Sequence, residues 1–204
     1  MRVRYSSIPV VVAPFNMSLG GGCEITLHAD AVQASAETYI GLVEVGTGVI
    51  PGGGGTKEFA LRTSDSFYNG DPELPLLNER FMTIGTAKVS TSAQEAYDLG
   101  ILKKGRDHIS INRSRLLADA KARCLQLASS GYTAPEPRTN IKVLGKSALG
   151  GLLAGTYAMQ QAHYITEHDL TIAQKLAYVI CGGDLSQPQQ VSEQYLLNLE
   201  REAF

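Results

Sequence analysis

Two glutamates, each carried on a glycine-rich stretch, are the residues of this sequence whose type and spacing best fit chemistry. Glu24 closes the segment LGGGCE, and Glu44 stands twenty positions later in GLVEVGTGVIPGGGGT. A pair of carboxylates suits general acid–base work, because one can take a proton while the other helps to deliver one. The pair therefore predicts an acid–base enzyme.

The three glycines before Glu24 predict a site for a developing negative charge. Gly20, Gly21 and Gly22 interrupt the chain just before CEITLHAD resumes with helical character. Glycine lets the backbone approach a ligand closely, and the start of a helix offers bare N–H groups and a partial positive charge. A thioester carbonyl that becomes enolate-like needs such donors, and hydration of the adjacent double bond needs acid–base groups. One donor turn and two carboxylates meet both needs.

The elements around these residues are predicted to alternate between strands and helices. Ile8 to Ala13 is a β-branched run beside prolines and predicts a buried strand, and AVQASA predicts a second strand. The loop that carries Glu44 opens into a helix near Thr56. We therefore expect an α/β core around the two glutamates.

The rest of the chain is predicted to be mainly helical. Residues 63–83 carry turn signals and no clear hydrophobic period, which predicts an irregular surface insertion. An amphipathic pattern over 115–129 predicts a helix, and the prolines and glycines of 131–151 predict a linker. Residues 152–182 and the tail VSEQYLLNLEREAF are again predicted to be helical.

Composition argues against partners that are recognised through a strong charge. The chain has 204 residues, of which 44% are hydrophobic, enough for a proper core. Lys and Arg number 18 against 20 Asp and Glu, for a net charge of -2, so there is no broad basic field for nucleic acid or an anionic membrane. No apolar stretch approaches the roughly 20 residues that span a bilayer.

The cysteines and histidines show no metal-binding pattern. Cys23, Cys124 and Cys181 are odd in number, far apart and without a CxxC pair, so neither a disulfide framework nor a zinc site is predicted. Glu24 and His28 lie one helical turn apart, but such a pair is more often a simple helix-face contact than a metal site. We predict no metal and a reducing, cytoplasmic location.

Several segments match longer patterns. One match is to a strand followed by A-x-N-G-x-x-x-G-G-G-x-E, in the segment PVVVAPFNMSLGGGCEITLHAD. Phe15 and Asn16 occupy the positions of the usual N-G pair. YIGLVEVGTGVIPGGGGT follows F-G-x-P-E-x-x-x-G-x-x-P-G-x-G-G-T, with Val43 in place of the proline, and AKVSTSAQEAYDLGIL and LEREAF match two further segments. These patterns resemble those of the crotonase (enoyl-CoA hydratase/isomerase) superfamily. The resemblance is greatest to the carboxy-terminal hydratase half of bacterial bifunctional 3-hydroxyacyl-CoA dehydrogenase/enoyl-CoA hydratases.

The resemblance implies a role for each matched residue. Glu24 and Glu44 would be the two acid–base glutamates, and Gly21 would donate one N–H of the oxyanion hole. Four further residues would shape the substrate pocket: Gly20, Gly22, Pro51 and Gly52.

The resemblance also implies the fold, which is α/β with a crotonase-type ββα spiral core and a mainly helical carboxy-terminal region. The family's amino-terminal strands and the loop with its other oxyanion donor have no counterpart before Arg4, so the expected core is N-terminally truncated. The expected division is a partial core with its following helices over 1–134 and a helical region over 135–204.

The implied activity is that of an enoyl-CoA hydratase of fatty-acid β-oxidation, with an acyl-CoA thioester as substrate. The resemblance also implies a homo-oligomer, either a trimer or a dimer of trimers. No cofactor is expected, because GxGxxG is absent and any NAD would bind a separate upstream domain. GGGGTK also lacks the G-K-[ST] order of a phosphate loop. Two alternatives stay open: an isomerase that uses one carboxylate at Glu44, and a non-catalytic assembly domain.

Overall fold

The computed structural model describes residues 1–204, and the chain forms two compact units. The first unit combines residues 1–42 with 89–136, and the second combines residues 43–88 with 137–204. Each unit is therefore built from two separate stretches of sequence.

Short parallel strands form two small sheets in the first unit. Strands β1 (Val11–Val12), β3 (Ala31–Ser35) and β5 (His108–Ser110) form one sheet in the order β1-β3-β5. Strands β2 (Asn16–Leu19) and β4 (Thr38–Gly41) form the other, and all three pairings are parallel. Because parallel neighbours require a crossover, β2 and β4 are joined through a helix and β3.

Of the two strand predictions, one is confirmed and the other is wrong in its extent. The strand predicted at AVQASA is confirmed as β3, whose five residues are all buried between its two neighbours. The strand predicted at Ile8 to Ala13 is wrong in its extent, since only the two residues of β1 pair. Pro9 has no N–H, and the N–H of Val10 donates instead to the Asp30 carboxylate at 2.7 Å.

Three helices complete the first unit: α1 (Gly21–Leu27), α4 (Ala93–Asp98) and α5 (Leu116–Ser129). Helix α1 packs on β2, and α5 packs on β1 and β3. The helix predicted over 115–129 is thus confirmed, with one turn of 3-10 helix at Arg113–Arg115 before it.

Helices dominate the second unit, where the only sheet is an antiparallel pair, β6 (Ile141–Val143) with β7 (Gln189–Val191). Its helices are α2 (Gly55–Asp65), α3 (Glu73–Gly85), α6 (Gly145–Gln161), α7 (Glu167–Ile180) and α8 (Glu193–Ala203). Helix α7 is central, because it packs against the four other helices. The mixed α/β class and the helical carboxy-terminal region are confirmed.

The irregular insertion predicted over 63–83 is wrong, because α3 begins at Glu73. Leu77, Phe81 and Ile84 follow helical spacing and are buried on one face of this helix. Pro75 lies in the first turn, where an N–H has no acceptor within the helix and its loss costs little.

The linker predicted over 131–151 is wrong in its second half, where β6 and the start of α6 lie. Gly145 makes this turn possible, since its φ is +64° and an added Cβ would lie 2.5 Å from the carbonyl oxygen of Leu185. The single helical region predicted over 152–182 is two helices, since Thr166 caps a new helix there, and the tail helix is confirmed as α8.

The compact units differ from the expected division at residue 134. One limit between the units falls nearby, at residues 136 and 137. Residues 43–88, however, belong with the carboxy-terminal helices, because α2 packs on α7, α8 and β6, and α3 packs on α7.

No helix has the length and apolar character required to cross a membrane. The three cysteines are free thiols, and Cys23 and Cys181 are buried. Burial raises the pKa of the Cys181 thiol to about 12.

Because the thiolate is the reactive form, we predict that Cys181 resists alkylation in the folded protein at pH 8, while the half-buried Cys124 is modified. The measurement is mass spectrometry of iodoacetamide-treated protein over time, with urea-unfolded protein as the control in which all three thiols react. Equal labelling of Cys124 and Cys181 in the native state would contradict the packing of the α7 carboxyl end.

Candidate active site

The turn between β2 and α1 is held in one conformation at Gly20. The Gly20 N–H donates to the carbonyl oxygen of Gly41 at 2.9 Å and so extends the β2–β4 ladder by one bond. Gly20 has φ 55° and ψ -121°, a region that is open to glycine and costly for residues with a Cβ. The chain therefore leaves the strand and enters the helix within a single residue.

Gly21 is the first residue of α1 and lies beyond the ladder. The N–H of a first helical residue has no acceptor within its own helix. Gly21 is exposed, and a Cβ built on it would meet nothing within 4 Å. This open position supports the predicted donor role of the Gly21 amide, which stays a prediction.

Gly22 lines an open groove of about 610 Å³ that is formed mainly by β2 and the chain before it. Exposed apolar side chains of Phe15, Met17 and Ile25 lie along this groove. A Cβ on Gly22 would come within 3.2 Å of the Ser18 hydroxyl, so a glycine fits best at this position. The predicted pocket role of Gly22 is compatible with this placement and stays a prediction.

Glu24 lies in the first turn of α1 and is buried, with 9% of its surface exposed. Its N–H donates to the carbonyl oxygen of Gly20 at 2.9 Å, so the glycine turn and the glutamate form one hydrogen-bonded unit. A carboxylate here also benefits from the partial positive charge at the helix start.

His28 binds the main chain of Glu24. Its Nδ1 lies 2.6 Å from the Glu24 carbonyl oxygen, and the imidazole is buried. Because a carbonyl oxygen only accepts, Nδ1 carries the hydrogen in this contact. His28 therefore holds the first turn of α1 in place.

Glu44 is in the second unit, where it begins a single turn of 3-10 helix, Glu44–Thr47. Its main-chain carbonyl accepts the Thr47 hydroxyl at 2.8 Å and the Val49 N–H at 3.3 Å. The side chain is half-buried, and its Oε2 atom is buried. Gly48 ends the turn with φ +91° and a carbonyl oxygen 3.1 Å from His168 Nε2.

Pro51 and Gly52 lie between this turn and α2. Pro51 is buried, and its carbonyl oxygen accepts the Thr56 hydroxyl at 3.3 Å. Gly52 faces the ring of Phe204, and an added Cβ would lie 2.5 Å from the ring atom Cδ2. Their predicted pocket role stays a prediction, while the structure shows both in packing contacts of the loop.

The second unit contains a cavity of about 350 Å³ that begins directly after Glu44. This volume is in the range of small-molecule sites. Its lining is mostly apolar: Val45, Gly46, Phe81, Met82, Gly85, Thr86, Ala87, Thr156, Met159, Tyr164, Ile165, Asp169 and Ala173. No pattern in the sequence pointed to this cavity, because α3, which supplies part of its wall, was predicted to be irregular.

Asp169 is the one carboxylate in the wall of this cavity, and it caps α7. It accepts the N–H of Thr166 at 2.9 Å and the Thr166 hydroxyl at 2.7 Å. Both hydrogen bonds lower the pKa of the Asp169 carboxyl, and the one from the backbone N–H has the larger effect. Asp169 is therefore occupied with the helix terminus, and the cavity interior is suited to hydrocarbon.

The structure thus groups the predicted residues by unit. Gly20, Gly21, Gly22 and Glu24 form one turn in the first unit, and Glu44 and Pro51 to Gly52 form one loop in the second. No group of His, Cys, Asp and Glu side chains is arranged to hold a metal ion.

The chain is similar in sequence to proteins named as a 3-hydroxyacyl-CoA dehydrogenase and an enoyl-CoA hydratase. No protein-family model matches it. Over all 204 residues it is 47% identical to a probable 3-hydroxyacyl-CoA dehydrogenase of Bacillus subtilis, and it spans 25% of that protein. Over 52 residues, 26% of this chain and 20% of the relative, it is 44% identical to a short-chain-enoyl-CoA hydratase of Clostridium acetobutylicum.

A crystal structure of an enoyl-CoA hydratase from Bacillus anthracis aligns with 87% of this chain and 55% of its own, at 24% identity and a TM-score of 0.48. The predicted resemblance to enoyl-CoA hydratases and 3-hydroxyacyl-CoA dehydrogenases is confirmed by these sequence relatives. The match to the Bacillus subtilis protein covers the whole of this chain and one quarter of that protein.

The glycine turn gives a matched pair of variants. We predict that Gly20→Ala lowers the free energy of unfolding by about 1–3 kcal/mol, because a Cβ is strained at its φ and ψ. Gly21→Ala, one residue later in open space, is expected to change it by less than about 1 kcal/mol. Urea unfolding curves measure both, and equal destabilisation would contradict the assigned geometry.

Proposed function

We propose that this chain carries enoyl-CoA hydratase function, the addition of water across the double bond of a 2-enoyl-CoA to give a 3-hydroxyacyl-CoA. The observation that carries the proposal is the five-residue turn from Gly20 to Glu24, which holds the helix-start amide of the exposed Gly21 and the buried carboxylate of Glu24. The relatives named for enoyl-CoA hydratase and 3-hydroxyacyl-CoA dehydrogenase steps support this choice of substrate class.

Both glutamates stand in segments that resemble one family's patterns, which supports a joint role for them. Leu19, just before the glycine turn, pairs with Gly41. Glu44 begins a 3-10 turn three residues after Gly41, the last residue of β4. Glu24 lies in the first turn of the helix that follows Leu19. We propose that both carboxylates act on one thioester.

The proposed mechanism uses each group once. One glutamate takes a proton from water as the water oxygen bonds to C3 of the enoyl group. The electron pair of the C2–C3 double bond moves toward the thioester oxygen, where the Gly21 N–H stabilises the charge. The other glutamate, in its protonated form, delivers a proton to C2, and proton exchange between the two restores the starting state.

The cavity after Glu44 is proposed to receive the acyl chain. Its wall is mostly apolar, and it starts at Val45 and Gly46, next to the proposed catalytic residue. A hydrocarbon tail placed there would leave its thioester end toward Glu44. We propose no cofactor for this chain, because the addition of water involves no net oxidation or reduction.

We predict that Glu24→Gln and Glu44→Gln each lower kcat for hydration of crotonyl-CoA by about 100-fold or more, because each removes an acid–base group and keeps the side-chain shape. The assay is loss of absorbance of the enoyl thioester, measured on the native, full-length protein.

The matched controls are the same substitution at exposed glutamates of each unit, Glu37→Gln and Glu167→Gln, which should leave kcat unchanged. If only Glu44→Gln were damaging and a shift of the double bond were the detected reaction, the isomerase alternative would replace the hydratase. Full hydratase activity in both Glu24→Gln and Glu44→Gln would favour the alternative of a non-catalytic assembly domain.

We predict that Met82→Trp, which narrows the cavity, lowers kcat/KM for 2-decenoyl-CoA at least tenfold more than for crotonyl-CoA, since the excluded methylene groups lose their contacts. Met82→Leu, which keeps the volume similar, is the control and should leave the ratio unchanged. An equal loss for both substrates would place the acyl chain elsewhere.

A further inference from the structure

Helix α8 presents two glutamates to helix α2. Glu193 and Glu200 are seven residues apart, which is two helical turns, so they share one face of α8. Both are buried, with 1% of their surface exposed. A buried carboxylate is costly unless its oxygens are hydrogen-bonded, so the contacts of Glu193 and Glu200 indicate that both side chains have fixed positions.

Glu200 caps the amino end of α2. Its Oε1 accepts the N–H of Gly54 at 2.6 Å, and its Oε2 accepts the N–H of Lys57 at 2.8 Å. Helix α2 has Gly54 at its N-cap position, which offers no side chain for this purpose. The carboxylate that satisfies these helix-start N–H groups therefore comes from a helix more than 140 residues later in the chain.

Glu193 fixes the other end of the same face. Its Oε1 lies 2.7 Å from Lys57 Nζ, which also donates to Glu58 at 2.7 Å, and the lysine and Glu58 are fully buried. Arg62 adds a contact to Glu58 at 3.4 Å. Charges held in this way set the position of α8 on α2 within narrow limits.

The end of α8 also contacts the loop before α2. The Phe204 ring lies against Gly52, where an added Cβ would be 2.5 Å from it. Lys175 Nζ donates to the carbonyl oxygen of Ala203 at 2.7 Å and so ties the end of α8 to α7. Phe204 and Glu200 therefore hold the segment Gly52 to Gly54 from one side.

This segment lies on the same short loop as Glu44. Gly48 and Gly54 both have positive φ, at +91° and +100°, and glycines at such positions leave the backbone free to turn unless both ends are fixed. His168 contacts the loop at Gly48, and Glu200 and Phe204 contact it at Gly52 and Gly54.

We propose that Glu200 and Phe204 are positioning residues for Glu44, and that α8 acts as a clasp that holds the Glu44 loop in its working conformation. This inference rests on the proposed function of Glu44. The clasp predicts a defect in the chemical step rather than in substrate capture, because neither residue belongs to the proposed binding groups.

The test is a double-mutant cycle on the native, full-length protein with crotonyl-CoA as substrate. Glu200→Gln keeps the shape but places an NH₂ group against one of the two N–H donors. We expect kcat to fall about ten- to a hundredfold with KM within about twofold, at a temperature where the variant is fully folded. Glu202→Gln, an exposed neighbour on α8, is the matched control and should be unchanged.

The decisive comparison is the same substitution in the Glu44→Gln background. If Glu200 acts through Glu44, Glu200→Gln has little further effect there, whereas a general structural role gives the same fold-loss in both backgrounds and overturns the proposal. Should Glu200→Gln fail to fold, Phe204→Leu gives the same cycle while leaving the buried carboxylates intact.

Failure of the proposed function has a different signature. A Glu44→Gln variant with full hydratase activity would overturn the role of Glu44, and the clasp with it. A damaged Glu44→Gln variant combined with unchanged kcat in both Glu200→Gln and Phe204→Leu would overturn the clasp alone.

Discussion

Between β2 and α1 the chain reverses at Gly20, whose backbone angles are strained for any residue with a Cβ. The Gly20 N–H still belongs to the ladder with β4, while the next residue already begins the helix. Two features of the glycine turn follow from this reversal: the Gly21 amide lies outside the ladder, and Glu24 lies one turn later in a buried position. A strand that continued for one more residue would engage the amide that the proposed chemistry needs.

The loop that carries Glu44 is contacted by helices that come much later in the chain. The loop from Glu44 to Gly54 contains positive-φ glycines, and α7 and α8 contact it at Gly48, Gly52 and Gly54. The buried group of Lys57, Glu58 and Glu193 costs desolvation energy, which its short hydrogen bonds offset, and it fixes one relative placement of α2 and α8. The flexible glycine-rich loop that carries Glu44 is thus packed against helices whose relative position is fixed.

Local signals explain which parts of this structure could be predicted from the sequence. The glycine turn and α1 were predictable because a positive-φ reversal demands glycine at that position, whatever packs around it. Helix α3 was missed because Pro72 and Pro75 outweighed the helical spacing of Leu77 and Phe81, although prolines are tolerated at a helix start. The contact of Glu200 with α2 was beyond prediction, since nothing in either helix alone specifies a partner more than 140 residues away.

We propose that the Gly21 amide and the carboxylates of Glu24 and Glu44 act on one acyl thioester. The most direct measurement is a crystal structure of the native, full-length protein with bound 3-hydroxybutanoyl-CoA. We expect the thioester oxygen to lie about 2.7–3.1 Å from the Gly21 nitrogen, with the 3-hydroxyl hydrogen-bonded to the side chains of both Glu24 and Glu44. The proposal would be contradicted by a thioester bound away from α1. It would also be contradicted by a 3-hydroxyl that is not hydrogen-bonded to both glutamates.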